Sequence, residues 1–263
     1  MTPFYLHGVG VLGPGLHGWQ AARRILGGEQ MYRYEAPHEP KPDLLPQNER
    51  RRGPKTVRWT VAVAQEALQG TGFSAAEAAA VFTSSSGDGE TMHQICESLA
   101  RPGREVSPTR FHNSVHNAAA GYWSIASGSC RTSVTLCGHD ASFAAGLLEA
   151  AGLVSAGEPA VLLVAYDLPY PQPLLSHRPI REPLAVAMLF SAQARHPALA
   201  QWRISLGAGA GNAAPSAVPP GLESNPAAQA LPLLAAVARG RTETASITFT
   251  YGQQLEVESQ ACF

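Results

Sequence analysis

The feature that most constrains this chain is a strand, a tight turn and a helix that follow one another between residues 132 and 151. Residues 132–136 have a β-type pattern, residues 137–140 form the predicted turn, and residues 141–151 have a helical pattern. Free backbone amides and the helix dipole converge where such a helix begins. Proteins of the α/β class place nucleophiles and anion sites at turns of this kind. We therefore expect any chemistry of the chain to lie here.

Strand and helix patterns alternate along the rest of the chain. Predicted strands lie at 4–12, 79–83, 159–166, 184–191 and 202–206, and predicted helices at 16–26 and 57–68 and before residue 99. This alternation predicts an α/β fold with a mixed, mainly parallel sheet flanked by helices. Residues 1–206 form the predicted main unit, in which 29–54 are a long loop. Residues 207–226 are a predicted flexible linker or loop. Residues 227–263 add a small helix and a strand pair that complete the same domain.

Composition excludes several classes of function. Hydrophobic residues make up 45% of the 263 positions and charged residues 15%, which predicts a packed core. The 19 basic and 20 acidic side chains give no electrostatic reason to expect nucleic acid or an acidic membrane as partner. The four cysteines have neither metal-site nor disulfide-framework spacing, and the sequence shows no signal peptide or membrane-spanning run. We therefore expect a cytoplasmic protein that uses no metal or other cofactor.

Two motifs carry a resemblance to a known family. Residues 113–123 contain the run Asn-Ser-Val-His-Asn-Ala-x-x-Gly-Tyr-Trp, and residues 141–146 are Ala-Ser-Phe-Ala-Ala-Gly. This stretch resembles the centre of the N-terminal half of a β-ketoacyl synthase, of the thiolase superfamily. It is most similar to the short ketosynthase-like proteins described as chain length factors and found beside aryl-polyene-type pathways. The resemblance covers roughly residues 4–205 and implies a thiolase-like fold of which only the N-terminal half is present.

The same resemblance implies that the chain is catalytically silent. A working ketosynthase uses a cysteine at the start of the central helix and two histidines from the second half of its fold. The motifs that carry those histidines are missing from this sequence. Counting back from Gly157 puts Asp140 nearest to the nucleophile position, where a carboxylate would be a poor acyl acceptor. We expect Asp140 to act as a helix N-cap.

A silent ketosynthase-like chain implies partners. The resemblance predicts a chain length factor that forms a heterodimer with a full-length ketosynthase and shapes the acyl tunnel of that enzyme. The pair would extend acyl chains on an acyl carrier protein. Two alternatives stay open at this point. The chain could be a small acyltransferase or thioesterase that uses Cys137 with His139, although a small buried cysteine is the commoner role for such a residue. It could also be a purely structural interaction subunit.

The residues before the central strand are the predicted interface. In the related dimeric ketosynthases this region lies against the partner subunit and helps to close the acyl pocket. Three aromatic residues are therefore candidates for the floor of the tunnel: Phe111, Tyr122 and Trp123. Four polar residues among them predict a hydrogen-bonded network: His112, Asn113, His116 and Asn117. The two histidines are four residues apart, but no carboxylate has the spacing of a third metal ligand. We expect no metal here.

Overall fold

Nine strands form one mixed sheet in the computed structural model, which describes residues 2–195, 198–209, 218–250 and 252–262. The strands are β1 (Phe4–Gly13), β2 (Leu16–His17), β3 (Ala79–Thr83), β4 (Ser133–Leu136), β5 (Val161–Asp167), β6 (Leu184–Ser191), β7 (Ala200–Ala208), β8 (Glu243–Thr250) and β9 (Gln253–Ala261). Their order across the sheet is β4-β3-β5-β6-β1-β7-β9-β8, with β2 paired to β1. The C-terminal strand pair therefore extends the sheet that the N-terminal strands begin.

The mixed α/β class is confirmed, but the prediction of a mainly parallel sheet is wrong. Among the described pairings, β3 is parallel to β4 and to β5, and the others are antiparallel. Parallel neighbours need long crossover connections, and helical segments of this kind join β3 to β4 and β4 to β5. By contrast, β8 and β9 form a tight hairpin. β6 and β7, which follow one another in the sequence, lie on either side of β1.

Helices cover both faces of the sheet. Their bounds are α1 (Trp19–Leu26), α2 (Gln47–Arg52), α3 (Lys55–Leu68), α4 (Gly89–Ala100), α5 (Pro108–Asn113), α6 (Ala118–Ser127), α7 (Ser142–Ser155), α8 (Leu174–His177) and α9 (Leu231–Arg239). On one face α3 and α6 pack over the central strands, and on the other face α1, α7 and α9 enclose the larger core. The predicted long loop at 29–54 contains a short helix, α2, and the predicted helix at 227–238 begins as a 3-10 turn, Pro226–Ala230.

Two glycines allow helices to approach the sheet closely. A Cβ atom at Gly8 of β1 would lie 1.8 Å from the Ala67 carbonyl oxygen of α3. A Cβ atom at Gly146 of α7 would lie 2.8 Å from the Thr83 side chain at the end of β3. Side chains at these positions would push the helices outward. The second contact matters for the site, because it presses α7 against the strand end that carries the polar residues described below.

The segment 207–226, predicted as a linker or loop, is described only in part. Residues 210–217 lie outside the described residues. On their N-terminal side the chain is still part of β7, which ends at Ala208. On their C-terminal side the Asn225 side-chain amide donates to the backbone carbonyl of Asp167, 3.0 Å away. The described end of this segment is thus attached to the end of β5.

Candidate functional site

Three parallel strands end together at one edge of the sheet, and the residues there form the candidate site. Ser84 and Ser85 follow β3, Cys137 follows β4, and Asp167 is the last residue of β5. Parallel strands present their carboxyl ends at the same edge. Side chains that are 30 to 83 residues apart in the sequence are therefore neighbours at this edge. This is also the edge at which open α/β sheets bind ligands.

A buried carboxylate lies at the centre of this edge. Asp167 Oδ1 accepts hydrogen bonds from the Ser84 hydroxyl (3.1 Å), the Ser85 hydroxyl (2.6 Å) and the Ser85 backbone amide (2.9 Å). Burial raises the pKa of Asp167 to about 6, although each of these hydrogen bonds favours the charged form. The sequence analysis did not identify Asp167, because this residue directly follows the apolar run predicted as a strand at 159–166. The only signal was an acidic residue directly after a strand that is covered on both faces.

Tyrosine side chains surround this carboxylate. The Tyr170 hydroxyl hydrogen-bonds the Ser85 hydroxyl at 2.9 Å and also the Ser86 hydroxyl. Burial, and then the neighbouring Asp167, raise the pKa of Tyr166 above its ordinary value, so Tyr166 stays protonated at neutral pH. The loop after β5 is thereby tied to the loop after β3. The hydrogen bonds of this polar cluster join the ends of β3 and β5.

Cys137 lies beside this cluster with its thiol partly open to solvent. Cys137 is an exposed residue, whereas we expected a small buried cysteine. The reason is that β4 is an edge strand, so the residue after it is covered from one side only. The Cys137 thiol donates to the Ser85 carbonyl oxygen at 2.9 Å. It is therefore held as a protonated donor, whereas the thiolate is the form that attacks acyl groups.

Arg178, which the sequence analysis did not identify, donates a hydrogen bond to the imidazole of His139. Arg178 Nη1 lies 2.7 Å from His139 Nε2. A guanidinium can only donate, so Nε2 is the acceptor and the neutral ring carries its proton on Nδ1. His139 Nδ1 in turn lies 3.4 Å from a carboxylate oxygen of Asp140. In the part of the chain that the structure describes, no hydrogen bond joins the Cys137 thiol to this imidazole. The basic nitrogen that a thiol would need is used by Arg178.

Asp140 does not cap the central helix, and that prediction is wrong. Its carboxylate is largely exposed and accepts from Arg178 Nη2 at 2.7 Å. A 3-10 turn at His139–Ala141 lies between the strand end and α7, which begins at Ser142. This extra turn moves Asp140 away from the free amides of the helix. Ser142 makes the local bonds instead: its hydroxyl accepts from the Gly138 amide (3.0 Å) and donates to the His139 carbonyl (2.7 Å).

A cleft of about 300 Å³ opens beside the ion pair of Asp140 and Arg178. Its walls come from the turn after β4, the loop before β6 and the start of the 3-10 turn that leads to α9. The residues that line it are Asp140, His177, Arg178, Pro179, Glu223, Ser224, Asn225, Pro226 and Gln229. Cys137 does not line this cleft. The salt bridge between Asp140 and Arg178 therefore lines the cleft at the position where the resemblance places an acyl-accepting cysteine.

The aromatic residues predicted for the tunnel floor occupy different environments. Trp123 is fully buried in the core beneath α3, and Tyr122 is nearly so. Phe111, on α5, leaves 69% of its surface exposed. Phe111 is thus the one member of this set with an open aromatic face, and the other two are part of the packing of the protein itself.

The four polar residues of the same region do not form one network. Asn113 donates to the Arg52 carbonyl and accepts from the Tyr122 hydroxyl, both at 3.1 Å. The His112 ring contacts Tyr122 edge-on. His116 Nε2 is buried without a hydrogen-bond partner, and the Asn117 side chain makes no cap bond at the start of α6, within the residues that the structure describes. The predicted network is therefore reduced to Asn113 and its two partners.

An apolar surface lies next to these residues. Phe111, Val115 and Ile125 are 69%, 53% and 71% exposed, and α6, which carries Ile125, contacts β4. One side of β4 faces no other described strand, and its sequence, Ser-Val-Thr-Leu, contains no charge. We call these three side chains together with the open side of β4 the exposed apolar face. Surfaces of this kind are typical of protein interfaces, and an uncharged open strand can pair with another strand.

Metal sites and membrane-spanning helices are absent from residues 2–195, 198–209, 218–250 and 252–262. In these ranges no group of three or more His, Cys, Asp or Glu side chains could hold a metal ion. None of the helices there is long and apolar enough to cross a membrane.

Comparison with known proteins gives one family and several similar structures. The family described as "Beta-ketoacyl synthase, N-terminal domain" matches residues 21–252. No curated protein sequence matches the chain. A solved structure of the ketosynthase ApeO in complex with its chain length factor ApeC, from Xenorhabdus doucetiae, contains a chain that is 22% identical, with a TM-score of 0.74. The alignment covers 98% of this chain and 100% of that chain.

Two further structures have the same fold. The ishigamide ketosynthase/chain length factor is 13% identical, with a TM-score of 0.75 and 100% of both chains covered. The third is AntDE:AntF, a type II polyketide synthase acyl-carrier protein in complex with its ketosynthase bound to the hexaketide. It is 10% identical, with a TM-score of 0.76 and 99% of both chains covered. At these identities the likeness is one of fold.

Proposed function

Because the chain belongs to the β-ketoacyl synthase N-terminal domain family, we propose that it is a catalytically silent subunit of the chain-length-factor type. In this proposal it forms a heterodimer with a full-length ketosynthase in the cytoplasm and limits the length of the acyl chain that its partner makes. The ketosynthase condenses malonyl groups, with loss of carbon dioxide, onto an acyl chain held on an acyl carrier protein. Aryl-polyene-type synthesis is the pathway class that we propose, ahead of other polyketide or fatty-acid-type elongation.

The observation that carries the proposed silence is the position of Arg178. Its guanidinium donates to His139 and to Asp140, each at 2.7 Å, at the turn where the family keeps its nucleophile. The imidazole therefore has no free basic nitrogen, and the Cys137 thiol donates to a backbone carbonyl instead. Within the described residues, no base is hydrogen-bonded to this thiol to generate the thiolate that attacks acyl groups. This arrangement supports a binding role over acyl transfer.

The exposed apolar face supports the proposed pairing. A bulky aromatic and two aliphatic side chains, Phe111, Val115 and Ile125, are exposed, and α6, which carries Ile125, contacts a strand with one open side. Burial of apolar surface drives association, and an open strand offers unused backbone donors and acceptors. The similar structures include two ketosynthase and chain length factor complexes. Their likeness to this chain is a likeness of fold, so the ketosynthase partner is our proposal.

Within this face, Phe111 is the side chain that we propose to reach the acyl chain. Tyr122 and Trp123 are buried within the subunit and cannot extend into a partner. Phe111 projects from a short helix and exposes a rigid aromatic surface, which is well suited to ending a narrow apolar tunnel. The proposal therefore assigns the tunnel floor to Phe111 rather than to all three aromatic residues.

Replacing this side chain is the test of the proposed function. In the reconstituted heterodimer, Phe111→Ala is expected to shift the product toward chains that are longer by at least one two-carbon unit. Each buried methylene is worth about 0.8 kcal/mol, so two of them change the preference by roughly tenfold. The measurement is the distribution of product lengths made by the pair on its acyl carrier protein. Val115→Ala, on the same exposed face, separates a loss of tunnel floor from a general loosening of the interface.

Two results would contradict the proposal. One is a chain that stays separate from the full-length ketosynthases of its own organism when the two are produced together and sized by gel filtration. The other is a heterodimer whose product distribution is the same with Phe111 and with Ala at that position. In the second case the chain would pair with the enzyme without limiting its product.

A second prediction concerns Cys137. In the heterodimer, Cys137→Ala is expected to leave the condensation rate within a few-fold of the unchanged pair, because the thiol has no base. Removing a true nucleophile costs on the order of 10⁴–10⁶ in rate. The measurement is the steady-state condensation rate, with gel filtration to show that the variant still pairs. A loss of several powers of ten would instead support the acyltransferase or thioesterase that uses Cys137 with His139.

A further inference from the structure

The helix that carries Phe111 is unusual in how it is attached to the rest of the protein. α5 has six residues, and of these described residues Asn113 alone is buried. Short helices have little stability of their own and depend on packing for their position. Here no apolar side chain of α5 reaches the core. The orientation of the helix, and therefore of Phe111 two residues before Asn113, depends on its packing against α4 and on one buried polar side chain.

Asn113 makes two hydrogen bonds to two different helices. Its side-chain Nδ2 donates to the carbonyl oxygen of Arg52, the last residue of α2, at 3.1 Å. Its Oδ1 accepts from the hydroxyl of Tyr122, on α6, at 3.1 Å. A backbone carbonyl can only accept, so the orientation of the amide group is fixed by chemistry. The side chain thus connects the end of α5 to both α2 and α6.

The hydroxyl of Tyr122 is suited to the donor role. Burial, followed by the nearby Glu49, raises the pKa of Tyr122 above its ordinary value, so the hydroxyl keeps its proton at neutral pH. The Tyr122 ring is held in the packed layer of α6, and the exposed His112 ring of α5 lies edge-on against it. The acceptor oxygen of Asn113 is therefore matched to a fixed donor. Loss of either bond would leave a buried polar group unpaired.

We propose that Asn113 is a positioning residue for Phe111: its bonds to Arg52 and Tyr122 set the orientation of α5 and thereby the depth at which Phe111 ends the acyl tunnel. This inference rests on the proposed function, in which Phe111 limits product length. It adds that the specificity of the pair depends on a buried side chain that touches neither the partner nor the acyl chain. Sequence reasoning placed Asn113 in the interface itself.

The sharpest change is Asn113→Asp, which keeps the size of the side chain. At neutral pH it replaces the amide donor by a carboxylate oxygen, which faces the Arg52 carbonyl oxygen and is repelled by it. α5 is then expected to turn away from its present orientation. We expect the preference between product lengths that differ by two carbons to change by about three- to tenfold, which lies in the lower part of the range of couplings seen for residues that share a network. Asn48→Asp, at an exposed position on α2, is the matched control for the added charge and is expected to change the preference by less than about twofold.

A double-mutant cycle shows whether Asn113 acts through Phe111. Product distributions are measured for the heterodimers with Phe111→Ala, with Asn113→Asp and with both changes. If Asn113 acts by orienting Phe111, the Asn113→Asp change has little further effect once the phenyl ring is gone, and the two effects do not add. Tyr122→Phe removes one of the two bonds without adding charge. It is expected to shift the distribution in the same direction as Asn113→Asp, but less.

The outcomes separate this inference from the proposed function. An unchanged distribution with Phe111→Ala overturns the tunnel role itself. A shift with Phe111→Ala but none with Asn113→Asp or Tyr122→Phe, in heterodimers that still form, overturns the positioning role alone. Fully additive effects of Phe111→Ala and Asn113→Asp also overturn it, because Asn113 would then act by another route. If Asn113→Asp does not pair, the Tyr122→Phe variant decides.

Discussion

Trp123→Ala is expected to lower the free energy of unfolding of the isolated subunit by about 3–5 kcal/mol, the usual cost of removing a fully buried large aromatic side chain. Trp123 is 0% exposed and belongs to the core cluster beneath α3. Its removal leaves a cavity that α6 and α3 can fill only in part. For a chain of this length the loss corresponds to a fall of about 6–10 °C or more in melting temperature.

The matched control for this prediction is Phe111→Ala. It also removes an aromatic ring, but one that is 69% exposed, and should change the free energy of unfolding by less than about 0.5 kcal/mol. Chemical denaturation of the three proteins gives the comparison. Equal losses for the two variants would contradict the assignment of Trp123 to the core and Phe111 to the surface. Because product length and stability are measured separately, a core role and a tunnel role cannot be confused.

The stability of the protein is expected to depend on the charge of Asp167. Burial raises the pKa of Asp167 from 3.8 to about 6 in the folded protein. The folded state therefore holds this proton more tightly than the unfolded chain does. The contribution of protonated Asp167 to the free energy of unfolding is fully present below about pH 4 and is lost as the pH rises through about 6. A difference of about two pKa units corresponds to about 3 kcal/mol.

Asp167→Asn isolates this contribution. The amide keeps an acceptor oxygen for the two serines but never carries a charge. As the pH rises from 4 to 7, the Asp167→Asn variant therefore becomes more stable relative to the unchanged protein. The difference in free energy of unfolding between the two proteins is expected to change by about 3 kcal/mol over this pH range. Urea unfolding at several pH values measures it, and groups common to both proteins cancel. Asp43→Asn, at an exposed position, should show no such trend. Parallel pH profiles for the Asp167 variant and the unchanged protein would show that Asp167 has an ordinary pKa.

Much of the fold could be predicted from the sequence because many of its strands and helices have a local hydrophobic periodicity. The apolar runs of β3 and β5 and the helical stripe of α3 lie where periodicity placed them. The thiolase-like fold predicted from residues 113–123 and 141–146 is confirmed by the likeness to solved ketosynthase structures. The directions of the later strands were not predictable in this way, because they depend on which strands become neighbours. Alternating elements favoured parallel pairs, whereas β1 is placed between β6 and β7.

The candidate site was harder to predict because its contacts join distant segments. Cys137, His139 and Asp140 were identified from the turn that they form. Arg178, which hydrogen-bonds two of them, lies 38 residues after Asp140, between the strands predicted at 159–166 and 184–191. Similarly, Asp167 meets Ser85 across 82 residues because β3 and β5 are adjacent in the sheet. A local sequence pattern cannot predict a contact between residues that are so far apart in the sequence. The misassigned cap at Asp140 has a local cause, the 3-10 turn inserted before α7.

The place of β1 in the sheet has a consequence for how the chain folds during synthesis. β1 is made before the other described strands, yet it lies between β6 and β7, and β6 begins at Leu184. At about 5–20 residues per second, its partners appear on the order of ten to thirty seconds later. Through that interval the run Phe4–Gly13 can pair only with the two-residue strand β2, and most of its apolar side chains stay open to other chains. Long-range pairing of this kind slows folding. The nascent subunit is therefore most exposed to aggregation before the second half of its sequence has been made.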